Sequence, residues 1–318
     1  MASTTLYIYI DLDETIGALE IGSLFSAFLF GIVTLQTYNY YNTFRDDGWR
    51  TKALVAAIWL LEAGHTAGIS FDVYRVSITY YGKPQLLGKF VGIGSTTCIG
   101  GAISLLVQGF FSTRLWRLLP KPYSFLGPFC IFISFVKFVA TVYLTVEGTT
   151  LADVTVYHKR NDWLISSTLV ASVVTDVIIA ASMIYYLLRK RGKSMKRVGK
   201  IIDRLIGFTI RSGFVTSLGA IVLLITFQVK PNSLIWMAVY TFYAKLYSNS
   251  LLSALNARKE LRGETISLSL GSQPNPPTTH RGTNFNVSRR SHRLSPDCSL
   301  FISQNKTKTK KSNSRFSR

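Results

Sequence analysis

Charge is scarce in this sequence. Only 16% of the residues are Asp, Glu, Lys or Arg, against about a quarter in an ordinary soluble domain. Acid is scarcer still, with 16 Asp and Glu against 36 Lys and Arg. Cysteine is nearly absent. Cys98, Cys130 and Cys298 form no metal spacing and too few pairs for a disulfide framework. Cys98 and Cys130 lie in apolar stretches and read as small buried hydrophobes. Four histidines without a His-x-x-x-His arrangement leave little material for a metal site, so no metal is expected. Neither Gly-x-Ser-x-Gly nor His-Glu-x-x-His occurs, and no paired-Asp arrangement within the spans suggests an intramembrane protease. No catalytic residue, enzyme activity or cofactor is therefore expected.

Apolar sequence is abundant instead. Hydrophobic residues make up 48% of the chain, and the mean hydropathy is positive. Those values exclude a disordered chain and argue against a soluble globular one. A membrane helix needs about 20 mostly apolar residues, and seven windows qualify: 16–41, 52–73, 88–111, 123–146, 163–188, 205–228 and 232–256. Breakers separate them, among them Asp46-Asp47-Gly48, Pro84, Pro120-Lys121-Pro122, Asn161-Asp162 and Pro231-Asn232. The second window carries Glu62 and His65, and its helix is expected to run past Asp72 and Arg75. No Lys or Arg precedes Arg45, so the first window lacks the basic flank of a signal peptide and reads as a retained span. The fold expected is an all-α integral membrane protein, a bundle of seven transmembrane helices. Residues 1–15 are its N-tail, 16–258 its membrane domain and 259–318 a disordered basic tail.

Orientation follows from the basic residues. The C-terminal side of a seven-span bundle holds 27 Lys and Arg and the N-terminal side 6. With the tail set aside the bias is still 14 to 6. The N-terminus is expected outside and the C-terminus in the cytoplasm, with the plasma membrane the favoured location. Tyr38, Tyr40, Tyr41, Trp49, Trp116 and Trp163 sit at span edges, where amphipathic rings anchor.

Ionisable residues at membrane depth are expensive and informative. Glu62 and His65 share a face near the middle of the second span. Lys137, Asp176 and Lys245 are central in spans four, five and seven. Acids and bases balance in number, so these five are expected to face inward and pair as one buried network. Lys245, Asn249, Ser253 and Asn256 fall on one helical stripe, beside a second stripe of Tyr240, Tyr243 and Tyr247. That helix should line the bundle centre. Gly88, Gly92, Thr96, Gly100, Ser104 and Gln108 recur every four residues in span three, a spacing that lets a neighbouring backbone approach.

Between spans five and six lies a basic cluster of Arg189, Lys190, Arg191, Lys193, Lys196 and Arg197. Beside a membrane it attracts anionic lipid at about 1 kcal/mol per charge. It also offers a docking surface for a cytoplasmic signalling partner. Residues 263–318 are too polar to bury a core. Ser291 and Ser295 in that tail sit in kinase-accessible contexts. Nucleic-acid binding is not expected of a membrane-tethered tail, and nothing in the sequence bears on oligomeric state.

Several blocks carry a resemblance. They are Gly17-Ala18-Leu19-Glu20-Ile21-Gly22, Phe30 to Tyr38, Leu61-Glu62-Ala63-Gly64-His65-Thr66, Tyr81-Gly82, and Val107 to Phe111 with Arg114. The longest runs from Lys245-Leu246-Tyr247-Ser248-Asn249 to Ala257-Arg258. Over roughly residues 10–260 the chain resembles the seven-transmembrane family of unknown function that is expanded in mushroom-forming (basidiomycete) fungi. The resemblance implies a seven-helix fold and supplies no chemistry. Known receptor signatures are missing: no Asp-Arg-Tyr ends span three and no Asn-Pro-x-x-Tyr ends span seven. Three functions fit: a receptor-like sensor with a polar pocket in the bundle, a proton, cation or solute carrier or channel using the buried groups, and a membrane scaffold.

Overall fold

The computed structural model describes residues 13–81, 91–121, 123–150, 154–191, 196–230 and 233–258. Of 13–14, 91–93, 154–155, 190–191, 196–206 and 208–212 only the backbone is described. The chain divides into two units, Met1–Ser272 and Gln273–Arg318, and the second lies wholly outside the described residues. So do most of the N-tail, Pro84, Lys193, Cys298 and the tail from 259 onward.

Every regular element described is helical. A π-turn, Asp13–Gly17, leads into α1 (Ala18–Thr43). Helix α2 (Trp49–Tyr74) continues through a π-turn to Thr79, so it does run past Asp72 and Arg75. Then come α3 (Val91–Leu118), α4 (Leu126–Thr150), α5 (Val154–Arg191), α6 (Lys196–Val229) and α7 (Ile235–Asn256). Two of these begin nine residues before their apolar windows. Helix α5 begins nine residues before Trp163 because Asn161 does not break it: its amide donates to Tyr157 O at 3.2 Å and is buried. The basic stretch is likewise mostly helix. Arg189 to Arg191 end α5, Lys196 and Arg197 begin α6, and only 192–195 between them lie outside the described residues.

Consecutive helices are antiparallel and form a ring that α7 closes against α1, with α3 and α7 also touching across it. One end of the bundle, where α1, α3, α5 and α7 begin, is called the N-terminal end below. Close approaches set the ring's geometry. A Cβ on Gly22 would stand 2.6 Å from Ala238 O, so α1 and α7 meet backbone to backbone there. A Cβ on Gly101 would lie 2.7 Å from the Thr141 methyl, which draws α3 onto α4. The four-residue stripe expected on α3 does not make that contact. Its Gly100 instead faces Tyr240, His65 and Ala244, on α7 and α2.

Among the described residues five helical stretches are long and apolar enough to cross a membrane: Thr15–Thr43, Trp49–Thr79, Gly94–Leu118, Tyr123–Thr150 and Val156–Arg189. Helix α6 adds a shorter apolar stretch, Gly213–Val229. This is a multi-pass, α-helical membrane protein. Large apolar side chains cover its outside, such as Leu24, Phe28, Phe132, Phe135 and Val139, where a bilayer replaces water as the solvent. Helix α7, expected as a seventh apolar span, does not reach that hydropathy. The reason is its place. Most of its residues are buried among the other helices, so it need not be apolar toward lipid.

The edge aromatics divide. Trp49, Trp116, Trp163 and Tyr38 are exposed, as anchors should be. Tyr40 is not. It is fully buried, and its hydroxyl donates to Asp47 Oδ2 at 3.0 Å. The same oxygen accepts from Arg258 Nη2 at 2.6 Å, which ties the end of α7 to the α1–α2 turn.

Candidate functional site

The five ionisable residues expected in one network fall into two clusters. The first joins α2 to α7. Lys245 Nζ lies 2.6 Å from Glu62 Oε2, and both side chains are wholly buried. Ser248 donates to Glu62 Oε1 at 2.5 Å. Lys245 also donates to His65 Nδ1 at 3.2 Å. A ring that accepts at Nδ1 carries its proton, when neutral, on Nε2. That Nε2 is buried and has no partner among the described residues. It faces the bare Cα of Gly100, where a Cβ would stand 3.7 Å away. The pairing has a local cause: Glu62 and His65 are one turn apart on α2, and Lys245 and Ser248 match them on α7.

The second cluster joins α3, α4, α5 and α7, and its two charges do not touch. Gln108 stands between them. Lys137 Nζ donates to Gln108 Oε1 at 2.7 Å, and Gln108 Nε2 donates to Asp176 Oδ1 at 2.8 Å. Lys137 also donates to Ser172 Oγ at 2.8 Å, and Ser134 donates to Gln108 Oε1 at 2.9 Å. Tyr247 donates to Asp176 Oδ2 at 3.0 Å, so the 3.0 Å contact between Tyr243 and Tyr247 hydroxyls runs from Tyr243 to Tyr247. Among the described residues Lys137 has no carboxylate in ion-pair range.

Asn249 belongs to neither cluster. Its amide donates to Lys245 O at 2.9 Å and Leu29 O at 3.3 Å, while Asn256 donates to Gln36 O at 2.9 Å. Asparagines seven residues apart on α7 thus reach carbonyls seven apart on α1. They stitch two parallel helices rather than line a pocket. Of the basic cluster, Arg189 is exposed at the end of α5. Lys190, Arg191, Lys196 and Arg197 lie on helical backbone at the same end of the bundle. No group of His, Cys, Asp and Glu among the described residues could hold a metal.

A cavity of about 160 Å³ lies among α3, α4, α5, α6 and α7. Gly94, Gly148, Tyr157, Phe227 and Trp236 bound it near the N-terminal end, and Ser134, Lys137 and Tyr247 bound it deep in the bundle. The second charged cluster is therefore the cavity's floor, and Tyr240, Tyr243 and Tyr247 form its α7 wall. Beyond the floor, Gln108, Asp176, Thr216 and Tyr247 border a second cavity of about 30 Å³.

Residues 172–260 match a family of unknown function (DUF6534). No curated protein and no solved structure matches the chain. The matched segment runs from Ser172, on α5, to just past α7. It holds Asp176, Lys245, Tyr247 and Ser248, together with the block from Lys245 to Arg258. The partners on the other helices, Glu62, His65, Gln108 and Lys137, lie outside it. So do the other blocks that suggested a family likeness.

Sequence reasoning passed over three residues at this site. Gln108 ends the small-residue stripe of α3, and its amide was the signal that the stripe's deep end is polar. Ser172 and Trp236 gave no signal, because serine and tryptophan are ordinary in membrane helices.

Proposed function

We propose that the protein is a receptor-like sensor, a seven-helix bundle with its N-terminus outside and its C-terminus in the cytoplasm. One observation carries this reading. A cavity with a charged floor deep in the bundle extends to Gly94, Gly148 and Trp236 near the N-terminal end, and one helix, α7, connects it to the opposite end. Helix α7 lines the cavity with Trp236, Met237, Tyr240, Tyr243 and Tyr247. Two residues past its end, Arg258 holds Asp47 at 2.6 Å. A ligand that displaces Tyr247 or Tyr243 loads the same rigid element that Arg258 anchors. The lysine and arginine bias supports the orientation. The basic ends of α5 and α6 then face anionic lipid and a cytoplasmic signalling partner.

The test needs no known ligand. Thr97→Cys, on the cavity wall, is placed in a Cys98→Ser background of the full chain in sealed cells. An impermeant thiol reagent added outside labels it, while a tag after Arg318 is reached only after permeabilisation. Labelling from the cytoplasmic side alone, or a tag open to the outside, overturns the reading.

A carrier is the second reading. The floor of the large cavity is only Gln108, Asp176 and Tyr247 thick, and the smaller cavity begins on its far side. Flux into proteoliposomes that stops in Asp176→Asn favours the carrier.

A further inference from the structure

We propose that the cavity takes a slender aliphatic carboxylate, its head on Lys137 and its tail running toward Trp236, with an acceptor oxygen near the tail's end. This deepens the sensor reading and rests on the cavity being its ligand site.

The wall decides the charge. Among the described residues Lys137 is the only charged one that lines the cavity, and no Asp or Glu does. Asp176, the nearest acid to Lys137 in the hydrogen-bond chain, is held by Gln108 and Tyr247 and does not line the cavity. An ammonium has three N–H groups. Gln108 and Ser172 accept two of them, and the third has no partner among the described residues. A carboxylate is the small acceptor that satisfies it with a charge-assisted bond. An amine would meet this floor as a like charge.

The shape follows from α7. From Tyr247 to Trp236 the helix rises about 16 Å, and both residues line the cavity. Its volume of about 160 Å³ is close to the roughly 150 Å³ that admits a benzene ring. A space that long and that small suits a chain rather than a fused ring system. Between the two ends the wall offers Leu169, Phe138, Met237 and Leu223 to an apolar body. At the far end, Trp236 is 7% exposed and its buried indole N–H has no acceptor among the described residues. A buried donor left unpaired is costly. A hydroxyl or carbonyl oxygen on the tail would supply the missing acceptor.

The experiment uses the full chain in lipid nanodiscs with decanoate, decanamide, decylamine and ω-hydroxydecanoate as probes, read by thermal unfolding. Decanoate is expected to bind at least tenfold more tightly than decanamide, with decylamine weakest. Lys137→Gln removes the difference between acid and amide. Trp236→Phe keeps decanoate binding and abolishes a several-fold preference of the wild type for ω-hydroxydecanoate. Decanamide equal to decanoate in the wild type overturns the proposal, whatever the variants do. So does an acid preference that survives Lys137→Gln. A Trp236→Phe protein that still prefers the hydroxy acid overturns the placement of the tail. These results are independent of thiol labelling at Thr97→Cys. Carboxylate binding with labelling only from the cytoplasmic side keeps the ligand and discards the sensor orientation, and the converse discards the ligand alone.

Discussion

The two buried charged clusters hold the same kinds of group in opposite ways. Lys245 and Glu62 are in direct contact at 2.6 Å, wholly buried, with Ser248 and His65 filling the remaining sites. Lys137 and Asp176 are held apart by an amide, and the lysine borders a cavity. A contact pair in a dry interior satisfies itself, and it is strongly destabilised when one partner goes. A pair separated by Gln108 leaves a donor over, and a leftover donor beside empty space is what a ligand can use. The closed cluster therefore reads as the bundle's fastening and the open cluster as its working surface.

The largest expected effect breaks the closed pair. Glu62→Leu strands Lys245 and should lower stability by about 3–5 kcal/mol, measured as thermal unfolding of the full chain in nanodiscs. Adding Lys245→Met to Glu62→Leu should restore most of it. A double variant no better than the single one would show that the pair is not what the two residues contribute.

Lys137→Met should cost less, about 1–3 kcal/mol, because it leaves Gln108 and Ser172 short of one donor and strands no contact partner. Equal losses at Lys137 and Glu62 would erase the distinction between the clusters. Tyr247→Phe removes one donor from Asp176 and should cost about 1 kcal/mol. In a double-mutant cycle with Tyr243→Phe the two losses should not add, since the hydroxyls form one chain.

The smallest effect lies outside both clusters. The Arg258–Asp47 bridge is partly exposed, with side chains 36% and 14% accessible. Arg258→Ala should cost under about 1 kcal/mol. That loss should shrink further at high salt, whereas the Glu62→Leu loss should not. Salt sensitivity of equal size at both sites would mean that Glu62 and Lys245 are open to solvent.

Much of this architecture was legible in the chain. The helices sit where apolar windows, ended by charge and proline, put them, because a span must be apolar over a set length. The burial of Glu62, His65, Lys137, Asp176 and Lys245 was legible because ionisable groups in apolar helices must turn inward. Other features were not. Asn161-Asp162 looks like a break, yet Asn161 is paired with its own helix, and α5 runs through it. Tyr40 and Tyr41 are neighbours of one kind, but one is buried and the other partly exposed, since a helix turns about 100° per residue.

The sequence by itself determined a membrane protein of helices with costly ionisable groups in its interior, because composition and period are local properties. Only the tertiary structure decided which acid meets which base. It alone placed Gln108 between Lys137 and Asp176, assigned Asn249 to the contact with α1, and showed α7 buried where it closes the ring between α6 and α1. Partners 29, 68 and 183 residues apart in the chain meet there. Their pairing depends on how each helix is rotated, and close contacts such as Gly22 on Ala238 and Gly101 on Thr141 set that rotation.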